Sequence, residues 1–302
     1  MDLTLDIKDK ILITGHKGFI GRHFHKELLS RGYVNVHGID VSNGVSCEEF
    51  FKFNEEVFDY VFHFACYIDP EVGLKNIKKS NISYDLCLDS LLFSWALRTG
   101  QKNIIYFSSS SVYPVCLQND KDYKLKESDV DFEVLRKPDN IYGWTKLTGE
   151  FFLRYLRENG INTYVFRPFS VYGEDQNSSF IFKVFLDAIE RKDETITIWG
   201  DGTQIRDFVY IDDVVKAVLG IISIDHPTPI NIGTGVGRSL NELLEIMFSE
   251  ANWKPSKIVH LLDKDIGEKY RCADVTMMND VYKIQHCPHL VARKYFRENG
   301  II

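Results

Sequence analysis

Short apolar runs alternate along this chain with longer segments whose apolar residues recur at helical spacing. Runs near 10–14, 35–40, 59–65, 103–108, 162–168 and 229–232 predict buried strands. Segments near 19–31, 80–99, 143–159, 178–191, 212–222 and 239–250 predict helices. Strand and helix taking turns in this way predict an α/β fold, a parallel sheet with helices on both faces. No Pro/Gly/Ser-rich linker, repeat or low-complexity tract interrupts the pattern, and 302 residues suit one domain with an appended lobe. Residues 120–137 are polar and charge-rich, and predict a surface loop or a lid.

Three breaks in the pattern carry chemistry. The first strand runs straight into Gly15-His16-Lys17-Gly18-Phe19-Ile20-Gly21 and then into a helix. Glycines so placed let the backbone turn tightly and approach a pyrophosphate held at the helix N-terminus. Asp40 ends the second strand, where a carboxylate accepts both ribose hydroxyls of an adenosine and repels a 2′-phosphate, favouring NAD over NADP; a plain turn residue is the alternative. Ser108, Ser109, Ser110 and Ser111 close the apolar run 104–107, and Tyr142 and Lys146 stand four apart at the start of a predicted helix. Residues four apart share a helix face. A phenol must lose about three pKa units, roughly 4 kcal/mol, to act as a base near neutrality. One cation about 4 Å away in a partly screened site supplies roughly that much. A serine hydroxyl beside the pair can hold a substrate oxygen as its proton leaves.

Taken together, these motifs resemble the extended short-chain dehydrogenase/reductases, in particular the NAD-dependent nucleotide-sugar epimerase/dehydratase family and its UDP-glucose 4-epimerase-like members. The resemblance runs from about Lys10 to Asp274 and includes His63-Phe64-Ala65-Cys66, Arg167-Pro168-Phe169-Ser170-Val171-Tyr172-Gly173, residues 200–215 around Arg206-Asp207, and Asn231-Ile232-Gly233-Thr234-Gly235. It implies a Rossmann-type doubly wound parallel sheet in residues 1–168, to which the chain returns at about 205–235. Residues 169–204 and 236–302 would form a smaller C-terminal substrate-binding lobe. It further implies that Gly15, Lys17, Gly18, Phe19, Ile20, Gly21, Asp40, Phe64, Ala65, Cys66, Tyr142, Lys146 and Pro168 hold NAD. Ser109, Tyr142 and Lys146 would be catalytic, and Ser109, Ser110, Ser170, Arg206 and Arg271 would hold a nucleotide-diphosphate sugar. For Arg206, a surface ion pair with Asp207 or Asp201 is the bland alternative.

The chain departs from the family's pattern in several places. Between Asp40 and Tyr60 it is too short for the usual helix, strand and helix. The family's Asn in the helix before the serine strand falls in register on Asp85, with Asn81 one turn earlier. Asp265-Ile266-Gly267-Glu268 lacks the family's second phosphate arginine, for which Arg271 or Lys264 are the nearby substitutes. Ser110 and Ser111 stand where 4,6-dehydratases carry Asp and Glu, which disfavours dehydration; were it to occur, Glu127 or Asp129 would have to supply the acid.

Composition adds exclusions. The net charge of −7 argues against nucleic acid as the main partner. No charged-then-apolar leader and no run of membrane-spanning length is present, so no membrane partner is expected. Six scattered cysteines without a Cys-x-x-Cys pair suggest reduced thiols and a cytoplasmic setting. His286-Cys287-Pro288-His289 offers metal-binding residue types without a distant partner pair, so a surface turn and no metal is expected. The stretch Phe151-Phe152-Leu153-Tyr155-Leu156 is apolar around too much of its helix for a simple surface face, and predicts core packing together with a homodimer contact. The functional expectation is NAD-dependent epimerisation of a nucleotide sugar at C4. A 4-keto-sugar reductase is the nearest rival, because Pro114 follows Val112-Tyr113 where epimerases usually carry Gly. A catalytically idle dinucleotide sensor is a rival of another class.

Overall fold

The structure is a computed structural model that describes residues 5–67, 79–222, 229–264 and 266–302. Its first half reads β1 (Ile11–Thr14), α1 (Phe19–Ser30), β2 (Val36–Ile39), α2 (Cys47–Phe53), β3 (Tyr60–His63), α3 (Lys79–Thr99), β4 (Asn103–Phe107), α4 (Ile141–Glu158) and β5 (Asn162–Pro168). Five of these strands and β9 (below) pair in parallel in the order β2-β1-β3-β4-β5-β9. All four residues of β1 are buried, as a central strand covered on both faces by helices requires. Strand order reverses between β1 and β3, so the loops leaving their C-terminal ends open a crevice between them. Those loops are the glycine turn and Phe64-Ala65-Cys66.

The short stretch after Asp40 contains α2 and no strand, which leaves β2 as the sheet edge. Phe51 of α2 packs at 5.1 Å, tilted, against Trp95 of α3, and Trp95 Nε1 donates to the Asn54 carbonyl at 3.0 Å. One helix thus seals the space that two helices and a strand would otherwise fill.

The second half is built from β6 (Ser170–Tyr172), α5 (Ile181–Glu190), β7 (Thr195–Trp199), β8 (Ile205–Tyr210), α6 (Ile211–Ile221), β9 (Ile230–Ile232), β10 (Gly237–Ser239), α7 (Leu240–Ala251), β11 (Lys257–Leu261), β12 (Tyr270–Arg271), α8 (Thr276–Asn279) and α9 (Pro288–Glu298). A small sheet runs β10-β8-β12 with β6 beside β8, and β7 pairs with β11. Residues 205–210 therefore belong to the small sheet, and the chain rejoins the large one through α6 and β9, later than the expected return at 205.

A buried polar braid ties these parts together behind the serine turn. Glu150 of α4 accepts from Arg167 Nε and Nη2 at 2.9 and 2.6 Å, and from Ser108 Oγ at 2.5 Å. Arg167 also donates to Tyr113 Oη, whose hydroxyl donates to Asn231 Oδ1 of β9 at 2.5 Å. Both Glu150 and Arg167 are 1% exposed. Residues 120–137 are mostly exposed, as a surface loop should be, but the loop is tied to the body of the protein. Leu125 is buried, its amide donates to the Cys272 carbonyl and its carbonyl accepts from the Asp274 amide. Glu127 accepts from the Asn231 amide at 2.9 Å, and Asp129 from Tyr123 Oη at 2.7 Å, so both acids are engaged on this loop and its neighbours.

The six cysteines are free thiols. Among the described residues no helix is long and apolar enough to cross a membrane.

Candidate active site

The glycine turn is shaped by close backbone approach. Gly15 has φ +67°, and a Cβ there would come within 2.9 Å of the Ala65 amide nitrogen. A Cβ on Gly21 would lie 2.1 Å from the Gly15 carbonyl oxygen. Gly18 precedes α1 without a side chain to cap it, and the first turn holds no acidic residue. The amides of Phe19 and Ile20 in that first turn have no acceptor within the helix and therefore favour an anion. Asp40 accepts from the Lys17 amide at 3.2 Å and from Ser42 N and Oγ at 2.9 and 2.7 Å. Burial pushes its carboxyl up, yet these hydrogen bonds outweigh it and hold Asp40 below the usual carboxylate range. Thr14 Oγ1 accepts from the Ala65 amide at 3.2 Å and lies 2.9 Å from His63 Nδ1, fixing the second loop against the first. The Phe64 ring packs at 4.7 Å on both Phe24 and Phe107, so it serves the core and leaves its main chain beside Gly15. A tight glycine turn whose backbone closes on Ala65, with a carboxylate at the next strand end, fits a dinucleotide.

Tyr142 and Lys146 lie one turn apart on α4, 7% and 4% exposed. Asn140 caps this helix by accepting from the Gly143 amide at 2.9 Å. A Cβ on Gly143 would lie 2.2 Å from the Ser111 carbonyl oxygen, so glycine is what lets α4 sit directly on the serine turn. Ser109 begins that turn, its Oγ accepting from the Ser111 amide at 3.1 Å; it is half-buried, while Ser110 and Ser111 are buried. Lys146 Nζ stands 5.8 Å from the Tyr142 ring centre and 4.7 Å from that of Tyr106. Burial lowers the affinity of Lys146 for its proton, but Tyr142, Asp89, Cys66 and Asp85 outweigh burial and keep it charged. The sequence suggests a phenol lowered by this cation. In the protein alone the opposite holds: burial raises Tyr142, Lys146 only opposes it, and Cys66, Asp85 and Asp89 add to the rise. Burial likewise pushes the Cys66 thiol up to about 11. The side chain of Asn81 lies outside the described residues; Asp85, in the family's Asn register, accepts from the Tyr67 amide at 2.7 Å.

Across the crevice, the small sheet presents a row of arginines. Arg238 of β10 and Arg271 of β12 are both in register with Arg206 of β8, so the three side chains share one face. Arg206 donates to the carbonyls of Ile205 and Ile266 at 2.7 and 3.0 Å; Asp139 and Glu268 act on its charge without forming a direct ion pair among the described residues. Burial and then Arg271 lower it to about 9. The ion-pair alternative fails because Asp207 is taken by Thr234, Gly235 and Ala273, and Asp201 by Thr203. Arg271 reaches Gln118 Oε1 at 2.7 Å, Asp139 Oδ2 at 2.5 Å and Ser111 Oγ at 3.5 Å, joining the arginine row to the serine turn. Pro168 ends β5 opposite Ile232, and Ser170 opens β6 opposite Phe208. Asp265 lies outside the described residues. In the His286–His289 turn the side chains diverge: His286 rests on Asp213 and the Tyr210 ring, His289 on Glu250. Arg238 and Asp139 escape sequence reasoning, because one joins the site through cross-strand register and the other through a contact with Arg271.

Comparison with known proteins gives the family directly. Residues 11–233 match the model of the NAD dependent epimerase/dehydratase family. The chain is 31% identical over 298 residues to GDP-mannose 3,5-epimerase 1 of Oryza sativa, covering 90% of this chain and 76% of the relative. A solved UDP-glucose 4-epimerase from Thermotoga maritima superposes with TM-score 0.78 at 22% identity, over 96% of this chain and 99% of the other. A GDP-6-OMe-4-keto-L-xylo-heptose reductase from C. jejuni does so with TM-score 0.82 at 20% identity, over 98% and 99%. These two structures share the fold. With a dinucleotide cradle of this shape and a family match over most of its length, the chain belongs to the NAD-dependent epimerase/dehydratase family of extended short-chain dehydrogenase/reductases, and its cofactor is NAD.

Proposed function

We propose that this enzyme epimerises a nucleotide-diphosphate sugar at C4 through a transient keto-sugar. The observation that carries the reading is the packing of α4, which bears Tyr142 and Lys146, directly on the turn that Ser109 opens, with Arg271 joining an arginine row to that turn and no carboxylate at Ser110 or Ser111. Residues 169–204 and 236–302, with β8, would hold the substrate, and the first 168 residues would hold the cofactor.

NAD supplies the hydride acceptor and donor. Tyr142 takes the proton of the C4 hydroxyl and later returns it. Because burial keeps the phenol protonated in the protein alone, its use as a base near neutrality requires the positive charge of the oxidised ring in addition to Lys146. Ser109 hydrogen-bonds the same sugar oxygen as it becomes a ketone. Lys146 keeps its charge beside the phenol and holds the ribose hydroxyls, while Asp40 takes those of the adenosine.

Arg206 and Arg238 meet the diphosphate, and Arg271 exchanges its grip on Asp139 for the substrate. Arg206→Ala and Arg238→Ala should each weaken UDP or GDP binding about tenfold, the worth of one hydrogen bond to a charged group. Titration calorimetry giving an unchanged dissociation constant for either variant would remove that arginine from the row. For the cofactor, NAD should be preferred over NADP by at least about tenfold, roughly 1.4 kcal/mol. Asp40→Ala should narrow that gap, and equal dissociation constants in the unsubstituted protein would contradict the assignment.

The decisive experiment uses a nucleotide sugar deuterated at C4. An epimerase returns the hydride within one site, so the epimerised product keeps the label with no added NADH. The keto-sugar reductase reading, favoured by Pro114, predicts stoichiometric NADH consumption and a cofactor-derived hydride in the product instead. The exposed rings of Phe151, Phe152 and Tyr155 on the outer face of α4 support a homodimer packed through that helix, which sedimentation would reveal.

A further inference from the structure

α3 brings Asp85 and Asp89, one turn apart and both buried, against the catalytic pair on α4. Their charges are balanced differently. Asp89 accepts from Tyr106 Oη at 2.6 Å and lies 3.2 Å from His63 Nε2. Burial opposes its ionisation, but these contacts and Lys146 outweigh burial and hold it below the usual carboxylate range. Asp85 has the Tyr67 amide as its hydrogen-bond donor, and burial pushes its carboxyl up to about 6. Near neutrality the two aspartates thus bring two negative charges to one ammonium. The described groups that face Asp85 are Lys146 and Tyr142 of α4, Asp89 and Tyr84 of α3, and Cys66 and the Tyr67 amide of the loop after β3. None of these is a second cation.

We infer that Asp85 is the counter-charge of the oxidised nicotinamide and biases the bound cofactor towards NAD over NADH. The inference rests on the proposed function, in which Tyr142 works beside the oxidised ring; the ring would then lie between Tyr142 and the loop after β3 that carries Cys66 and Tyr67. The oxidised ring is cationic and the reduced ring neutral, so a carboxylate buried near it stabilises the first selectively. Burial limits the screening of that interaction. The same charge acts against ionisation of Tyr142, since Asp85 raises the phenol. That compromise suits an enzyme that must begin every turnover with oxidised cofactor, and it opposes one that must capture NADH.

The test needs no sugar. Purified protein is dialysed to equilibrium against defined mixtures of NAD and NADH, and the reduced fraction of the bound cofactor is read by its absorbance. Asp85→Asn keeps an oxygen for the Tyr67 amide and removes the charge. It should shift the relative affinity towards NADH by about tenfold, whereas Asp85→Glu, which retains the charge, should stay within about threefold of the unsubstituted protein. An Asn variant within about twofold of the unsubstituted protein, or a Glu variant that moves as far as the Asn variant, overturns the inference. Because bound-cofactor ratios are measured without substrate, failure of the epimerase reading would show only in the deuterium experiment.

Discussion

Tyr142→Phe is expected to lower turnover by about 10²–10⁴-fold while NAD binding changes by no more than a few-fold. The substitution removes one oxygen from a ring that is otherwise held by its burial on α4, so the helix and the serine turn keep their packing. What disappears is the group that exchanges a proton with the sugar oxygen. Lys146→Ala should damage both quantities, because the ammonium faces the phenol and is assigned to the cofactor's ribose. Measuring kcat beside the NAD dissociation constant separates the two. Near-normal turnover in Tyr142→Phe would take Tyr142 out of the mechanism and return the sensor reading to consideration.

Arg167→Ala should destabilise the fold by about 3–5 kcal/mol, the scale for stripping one partner from a buried ion pair. Glu150 would be left 1% exposed with no cation, and Tyr113 would lose its link to the same network. Glu150→Gln keeps an acceptor for Ser108 and for Arg167, and should cost less than Arg167→Ala. The midpoint of urea unfolding, read with its slope, reports both. A loss below about 1 kcal/mol for Arg167→Ala would mean that water relieves the stranded carboxylate. The braid also has a functional side, because it anchors Ser108, the neighbour of Ser109, to α4 and β5.

The amino-acid sequence by itself determined the large parallel sheet and most of its helices. Strands buried on both faces appear as short continuous apolar runs and long helices as a helical period, so β1 to β5, β9 and the helices α1 and α3 to α7 stand within a few residues of where the apolar pattern places them. The glycine turn was legible for a similar reason: its requirements are a tight turn and close backbone approach, and Gly15 and Gly21 meet them within one loop. The Tyr142/Lys146 pair was legible because helical spacing alone puts both on one face. The two- and three-residue strands β6, β10 and β12 are too short to show a period and went unread, as did the pair β7 and β11. α2 and α9 were missed too, the first because a shortened segment rebuilt the sheet edge.

Only the tertiary structure decided the charges of the site. Arg206, Arg238 and Arg271 are far apart in the chain and become neighbours through strand register, which no local pattern encodes. Ser111 and Asp139 join Arg271 in the same way. The direction of the Tyr142 shift was likewise out of reach. Spacing names the cation beside the phenol, but desolvation and the carboxylates of Asp85 and Asp89 arise from how α3 packs on α4. Coulomb interactions act through space and grow as water is excluded, so their balance follows the packed arrangement rather than the order of residues.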